Sequence, residues 1–316
     1  MKKAIIVGAH GQDGQYLSEK LRHKGYMVIG LDRNVIEGDI FSDQKPVDIT
    51  KSESVQNLLE QQKPNEIYYL AAFHQSSEDK NYDDGVLFQE SFSINVQALF
   101  NFLEGIKLSS PATRLFYAAS SHIFGNPDRS IQDETTPFRP NCIYGLTKTA
   151  GLQVCRYYRE RYSIFTSVGI LYNHESPLRS PQFISQKIVR TMIEIKKKKA
   201  KNLTVGNLKA KIDWGYAADY VEAMYRILQL PDADDFIISS GSVHTIEDFI
   251  KGVAHLLDLN WKSFVQEDPN LITKITKGHL QGNHQKLSHL TGWTPTVDLE
   301  GLIKIMVEEG LKNYAA

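Results

Sequence analysis

Only two cysteines occur in 316 residues, Cys142 and Cys155. They form neither a metal pair nor a disulfide framework, which excludes a cystine-stapled scaffold and predicts a reduced, cytoplasmic protein. No apolar run approaches the roughly 20 residues needed to cross a bilayer, so no transmembrane helix is expected. Neither sign of charge is in excess. Lys and Arg total 36 against 37 Asp and Glu, a formal net charge of -1, which argues against a general nucleic-acid or membrane surface. No spacing of His, Asp and Glu suggests a metal site. Internal repeats, low-complexity linkers and glycine-serine hinges are absent too, and Met1-Lys2-Lys3 leads into a strand rather than a signal sequence. The one basic run, residues 196–199, follows an apolar-periodic stretch and reads as a solvated helix C-terminus.

What is present is an ordinary globular composition, 41% hydrophobic and 23% charged, in a chain long enough for one or two domains. Short β-branched runs at 4–7, 27–31, 66–70, 114–119 and 165–170 alternate with helical patterns near 12–24, 52–61, 95–107 and 144–162. That alternation predicts an α/β fold of Rossmann type, a doubly wound parallel sheet covered on both faces. The remainder is less regular. It contains helices near 183–197, 220–228, 246–257 and 299–310 and a short strand at 203–205, and is expected to form a smaller C-terminal α/β lobe for substrate. The expected division is 1–172 for the cofactor and 173–316 mainly for substrate, with the chain free to cross back to the sheet.

Gly8, Gly11, Gln12, Asp13 and Gly14 stand at the end of the first strand and the start of the first helix. A pyrophosphate is well placed against the free N–H groups and positive dipole of such a helix. Asp32 follows Gly8 by 24 residues, at the end of the second strand, where an acidic side chain accepts hydrogen bonds from ribose hydroxyls. It would repel a 2′-phosphate, which favours NAD, while Arg33 next door leaves NADP open.

Tyr144 and Lys148 are separated by one helical turn, so both side chains share a face. A lysine ammonium there favours the ionised phenol and makes Tyr144 a usable base for hydride-transfer chemistry. Ser120, at the end of the 114–119 run, is placed to hydrogen-bond the same reacting oxygen.

Several longer stretches carry a resemblance. Gly11-Gln12-Asp13-Gly14-Gln15-Tyr16-Leu17, the run from Gly169 through Asn173-His174-Glu175-Ser176 to Pro177, Gly206-Asn207-Leu208 with Asp213-Trp214-Gly215, and Asp219 through Met224 resemble the extended short-chain dehydrogenase/reductases. Within that group they are similar to the GDP-mannose 4,6-dehydratase family, over nearly the whole chain. The resemblance implies a nucleotide-sugar substrate, a nicotinamide that is reduced and reoxidised in each turnover, and a homodimer or tetramer. It makes Tyr144 the base at the sugar 4-hydroxyl, with Lys148 holding the nicotinamide ribose. Leu70, Ala71 and Ala72 would lie where cofactor and sugar meet, with Gln75 and Ser121 on the sugar. Asn173 and Glu175 would contact sugar and diphosphate; Lys187 and Arg190, on one face of the next helix, are candidate phosphate partners, and Arg179 is a further candidate.

The chain also departs from that family. A glutamate that removes the C5 proton in the family is His122 here. A neutral imidazole can take a proton near neutrality, so 4,6-dehydration stays open. The alternatives are a C4 dehydrogenase, reductase or 4-epimerase that does not dehydrate, and a non-catalytic cofactor-binding regulator. An arginine before Asp-Trp-Gly is Ile212, and the arginine-proline and acidic positions further on are replaced around Thr273, Lys274 and Thr276, so bidentate clamping of a diphosphate is lost there. A basic loop after the second strand is also missing, which agrees with NAD and a dimer.

Overall fold

The computed structural model describes residues 1–33, 47–73, 83–271 and 279–314. In chain order the strands are β1 (Lys3–Val7), β2 (Met27–Leu31), β3 (Glu66–Tyr69), β4 (Arg114–Ser120), β5 (Thr166–Leu171), β6 (Asn173–Glu175), β7 (Leu203–Val205), β8 (Lys211–Tyr216), β9 (Asp235–Ile238), β10 (Val243–Thr245) and β11 (Val265–Glu267). The α-helices are α1 (Gln12–His23), α2 (Ser52–Gln62), α3 (Asp84–Phe92), α4 (Leu99–Ser109), α5 (Ile143–Tyr162), α6 (Ile184–Lys196), α7 (Ala217–Ile227), α8 (Ile246–Leu257), α9 (Gln285–Thr291) and α10 (Leu299–Asn313).

Six strands form the central sheet in the order β2-β1-β3-β4-β5-β9, with every pair parallel. Strand periodicity explains why these runs are apolar on both sides. Ile5 joins the core under α2, α4 and α5, and its neighbour Ile6 joins the core under α1, α7 and α9. Each such side chain contributes about 1.5–3 kcal/mol on burial. From β1 the chain first steps to β2 on one side, then returns to β3 on the other. The order therefore reverses between β1 and β3, and a crevice opens at the carboxyl ends of those strands.

The smaller lobe pairs β10-β8-β6 and β11-β7 and packs α6, α8 and α10 around Trp214 and Phe249. The region beyond 172 holds more strand than its sequence announces. Besides the expected β7, β6, β8, β10 and β11 build the lobe, and β9 returns to the main sheet beside β5. These strands have three to six residues and carry polar side chains such as Asn173, Lys211, Asp235, His244 and Gln266, so no continuous apolar run marks them. Among the described residues no helix is long and apolar enough to cross a membrane.

The helix expected near 95–107 is part of a longer run. It begins with α3, capped by the Asp83 carboxylate on the Gly85 and Val86 amides, passes through a π-turn at Ser93–Ala98 and continues as α4. A π-turn frees carbonyls from the α-helical ladder. Here Ile94 and Asn95 offer theirs to the Tyr69 and Tyr117 hydroxyls, while the Asn95 amide donates to Thr147 on α5 at 2.9 Å. This seats α5 on β4.

Candidate active site

The glycine loop is shaped by contacts that a side chain would block. Gly8 has φ +91°, and a Cβ there would lie 2.9 Å from the Ala71 amide nitrogen. A Cβ on Gly14 would meet the Gly8 carbonyl at 2.4 Å. The crevice they leave is a cavity of about 730 Å³ whose walls include Gly8, Gly11, Asp32, Arg33, Leu70, Ala71 and Ala72. Asp48 and Thr50, which the sequence reading did not single out, share that wall. The Asp32 carboxylate accepts from the backbone amides of His10 (3.0 Å) and Arg33 (2.7 Å), which aims it along the cavity edge. Backbone amides, a bare helix start and an edge carboxylate fit the pyrophosphate and ribose of a dinucleotide.

Across Leu70 and Ala72 lies a second cavity, of about 360 Å³. It brings together Ser120, His122, Tyr144 and Lys148 with Asp13, Asn173, His174, Glu175 and Arg179. The α5 N-terminus places Tyr144, where the Cys142 thiol accepts the Gly145 amide. The single turn after β4 places His122, whose amide donates to the Ser120 hydroxyl at 3.3 Å. The imidazole meets the Tyr144 ring edge-on, with centroids 5.9 Å apart. Two groups able to move protons thus stand on one wall.

Lys148 stands beside Tyr144, as the one-turn spacing requires. Its ammonium is buried against β4, donates to the Ala118 carbonyl at 2.7 Å and lies 5.7 Å from the Tyr144 ring centroid. Burial pushes it down to about 7, so near neutrality it carries only part of a charge. Burial likewise pushes the Tyr144 phenol up, and the groups that oppose this rise are the Arg179 guanidinium and a hydrogen bond from Ser120.

The lysine has a measurable signature. The folded protein holds Lys148 at about 7 against 10.5 for the ordinary group, so between these values the unfolded chain binds more protons and stability rises with pH. The penalty is fully present below pH 7 and fades towards 10.5. Lys148→Met is therefore expected to raise the melting temperature of cofactor-free protein near pH 7, by an effect on the order of 3 kcal/mol, while lowering turnover. Thermal melts across this pH range check it, and a melting temperature that falls at every pH would refute it.

Other expected residues divide by position. Asn173, Glu175 and Arg179 line the cavity. Glu175 accepts the Ser185 hydroxyl, and Arg179 approaches it at 3.3 Å while covering the Phe183 ring at 3.6 Å. Ser121 borders a smaller recess with His122, Ile212 and His279. Lys187 and Arg190 line neither cavity, because α6 turns Gln186 instead towards the Ser176 and Pro177 carbonyls. Gln75, Thr273, Lys274 and Thr276 lie outside the described residues. Gln12 and Asp13 face the lobe: the Gln12 amide donates to the His174 carbonyl, and Asp13 meets the His174 ring. No role for His174 was read from the sequence, although its neighbours Asn173 and Glu175 drew attention to the segment.

A doubly wound sheet with a glycine cradle at its switch point, and a Tyr-x-x-x-Lys helix beside it, defines an extended short-chain dehydrogenase/reductase. The pattern described as "GDP-mannose 4,6 dehydratase" matches residues 5–306. GDP-mannose 4,6 dehydratase 2 of Arabidopsis thaliana is 36% identical, over 98% of this chain and 87% of that protein. Among solved structures, UDP-glucose 4-epimerase of Thermus thermophilus with NAD superposes with a TM-score of 0.82 at 22% identity, covering 98% of this chain and 99% of the other. RMD from Pseudomonas aeruginosa complexed with NADPH gives 0.83 at 18%, covering 99% and 100%. The chain belongs to the GDP-mannose 4,6-dehydratase family and is an NAD(P)-dependent enzyme of nucleotide-sugar 4,6-dehydratase type.

Proposed function

We propose that the protein oxidises a GDP-linked hexose, GDP-mannose being the leading candidate, at C4 and then removes water across C5 and C6. The observation that carries this reading is the pairing of His122 with Tyr144 on one wall of the 360 Å³ cavity. A reaction confined to C4 needs one proton acceptor, whereas dehydration needs a second at C5. The bound dinucleotide supplies hydride acceptance from C4 and its return to the sugar.

The chain's own residues manage the protons. Tyr144 takes the proton of the 4-hydroxyl, Ser120 holds the same oxygen, and Lys148 holds the nicotinamide ribose. The C4 ketone acidifies the C5 proton, which His122 removes. The imidazolium so formed donates to the departing C6 hydroxyl, and water leaves. The resulting C5–C6 double bond would take the returning hydride at C6 and, at C5, a proton delivered by His122 from solvent, into which Tyr144 releases the 4-hydroxyl proton. Arg179 and Asn173 are the groups we assign to diphosphate and sugar. The edge carboxylate of Asp32 supports NAD over NADP, with the adjacent Arg33, stacked near Phe73, as the feature that would accommodate the latter.

We further infer a homodimer through α3, α4 and α5. Val86, Phe88, Phe92, Phe100, Tyr157 and Tyr162 stand exposed there, and α3 and α4 both pack against α5. Such a clustered apolar face favours burial against a second copy. The two cysteines, both free, suit a reducing cytoplasm, and the division at residue 172 follows the passage from β5 into the lobe.

The test is incubation of the purified protein with GDP-mannose and related nucleotide sugars, followed by mass measurement. Loss of one water supports the reading. A product two hydrogens lighter with reduced cofactor accumulating, or one of retained mass with inverted C4, would overturn it.

A further inference from the structure

The hydride-transfer cavity contains a carboxylate that works against it. Asp13 lies in the same wall as Tyr144, and a fixed negative charge nearby disfavours the ionisation of a phenol. The Asp13 side chain is only 17% exposed, so water screens it poorly.

Asp13 is met by His174, 161 residues further along the chain, on the short strand β6. His174 Nε2 lies 2.8 Å from Asp13 Oδ2, and Nδ1 lies 2.8 Å from the Tyr172 carbonyl oxygen. Both ring nitrogens therefore face oxygen acceptors. The doubly protonated ring satisfies both, because a neutral imidazole has only one N–H to give. Tyr220 of α7 stacks on the ring, with centroids 4.6 Å apart and planes 22° from parallel, and an aromatic face suits a cation. Arg179, in the loop after β6, opposes the charge, and burial does so too, yet the Asp13 carboxylate holds His174 above the ordinary imidazole range. Asp13 is held below the usual carboxylate range in turn, His174 being the leading influence against the effect of burial.

We propose that His174 is a positioning residue which, as an imidazolium, cancels the Asp13 carboxylate in the hydride-transfer cavity and leaves Arg179 as the dominant charge that Tyr144 senses. The proposal rests on the reading of Tyr144 as the C4 base. It gives Gln12 and Ser176 a purpose as well. The Ser176 hydroxyl donates to Gln12 at 2.7 Å and the Gln12 amide donates to the His174 carbonyl at 3.0 Å, so α1 and β6 keep the pair in register.

The experiment compares wild type, His174→Gln, Asp13→Asn, the double variant and Tyr144→Phe as NAD-loaded protein with GDP-mannose. It follows the pH dependence of single-turnover cofactor reduction. Losing the cation unmasks Asp13, so the acidic limb of His174→Gln moves to higher pH by about one unit, roughly a tenfold loss at fixed pH on that limb. Asp13→Asn removes the carboxylate that keeps His174 protonated, so the ring becomes neutral and the limb stays close to wild type, as it does in the double variant. A buried charge left alone destabilises, so thermal melts accompany each variant, and His174→Asn, which unmasks Asp13 in the same way with a shorter side chain, preserves the comparison if His174→Gln does not fold. A His174→Gln limb that coincides with wild type, with only amplitude or melting temperature changed, would reduce the pair to a structural contact and overturn the proposal while Tyr144→Phe remains inactive. Turnover retained in Tyr144→Phe would instead overturn the C4-base reading and the proposal with it.

Discussion

Tyr144→Phe is expected to lower turnover of a nucleotide sugar by about 10³-fold while leaving NAD affinity within a factor of about 2. The loss follows from what the phenol oxygen touches. Ser120 hydrogen-bonds it, the Arg179 charge favours its ionisation, and burial resists that ionisation, while the proposed mechanism engages His122 at C5 rather than at the 4-hydroxyl. Phenylalanine keeps the ring and with it the edge-on contact to His122, so the packing of the wall is unchanged. Cofactor affinity survives because the dinucleotide cradle is built from Gly8, Gly11, Asp32 and the strand ends at Leu70 to Ala72. Because burial raises the phenol, the wild-type rate should climb as pH rises on the acidic side, and that climb should vanish with the hydroxyl. Titration of bound NAD beside mass-resolved turnover decides the matter. Activity above about a tenth of wild type would remove Tyr144 from the chemistry.

How the site reads from sequence depends on the distance over which each feature is built. The glycine cradle and the Tyr144–Lys148 face are local, one a strand-turn-helix and the other a single helical turn, and both are legible at once. The size of the lysine's influence is not local. It depends on how deeply β4 and the π-turn bury α5, and neither the tilt of a helix nor a π-turn leaves a periodic mark. The Asp13–His174 pair joins residues 161 apart, a separation no motif spans. Helix α3 escaped notice for another reason: Val86, Phe88 and Phe92 are exposed on it, so its apolar residues follow no core-facing stripe. Spacing puts Lys187 and Arg190 on one helix, but the rotation of α6 decides whether either side chain lines a cavity, and neither lines the two described above. Composition and spacing thus locate the elements, while burial and helix rotation decide which charged side chains enter the cavity.

In the proposed mechanism the residue that separates this chain from a bare C4 oxidase is His122, and His122→Ala is expected to stop dehydration while sparing C4 oxidation. The imidazole lines the cavity beside Tyr144, on a turn whose amide is tied to Ser120. Truncation leaves Ser120, Tyr144 and Lys148 in place, because β4 and α5 hold them independently of the His122 ring. The variant should therefore convert substrate to a 4-keto sugar two hydrogens lighter, with reduced cofactor retained, while loss of water falls by about 10²–10⁴-fold. Exchange of the C5 proton with deuterated solvent should fall with it, since that exchange reports the same proton transfer without requiring water to leave. His122→Glu supplies the complementary arm. A carboxylate at this position restores the residue type that the family resemblance associates with the step, and carboxylates titrate below imidazoles, so dehydration should return with its acidic limb moved to lower pH. Undiminished dehydration in His122→Ala would remove the residue from the mechanism. Loss of both C4 oxidation and dehydration would instead mean that the imidazole supports the Tyr144 wall through their edge-on contact. Retained oxidation with halted C5 exchange assigns the second proton transfer to His122.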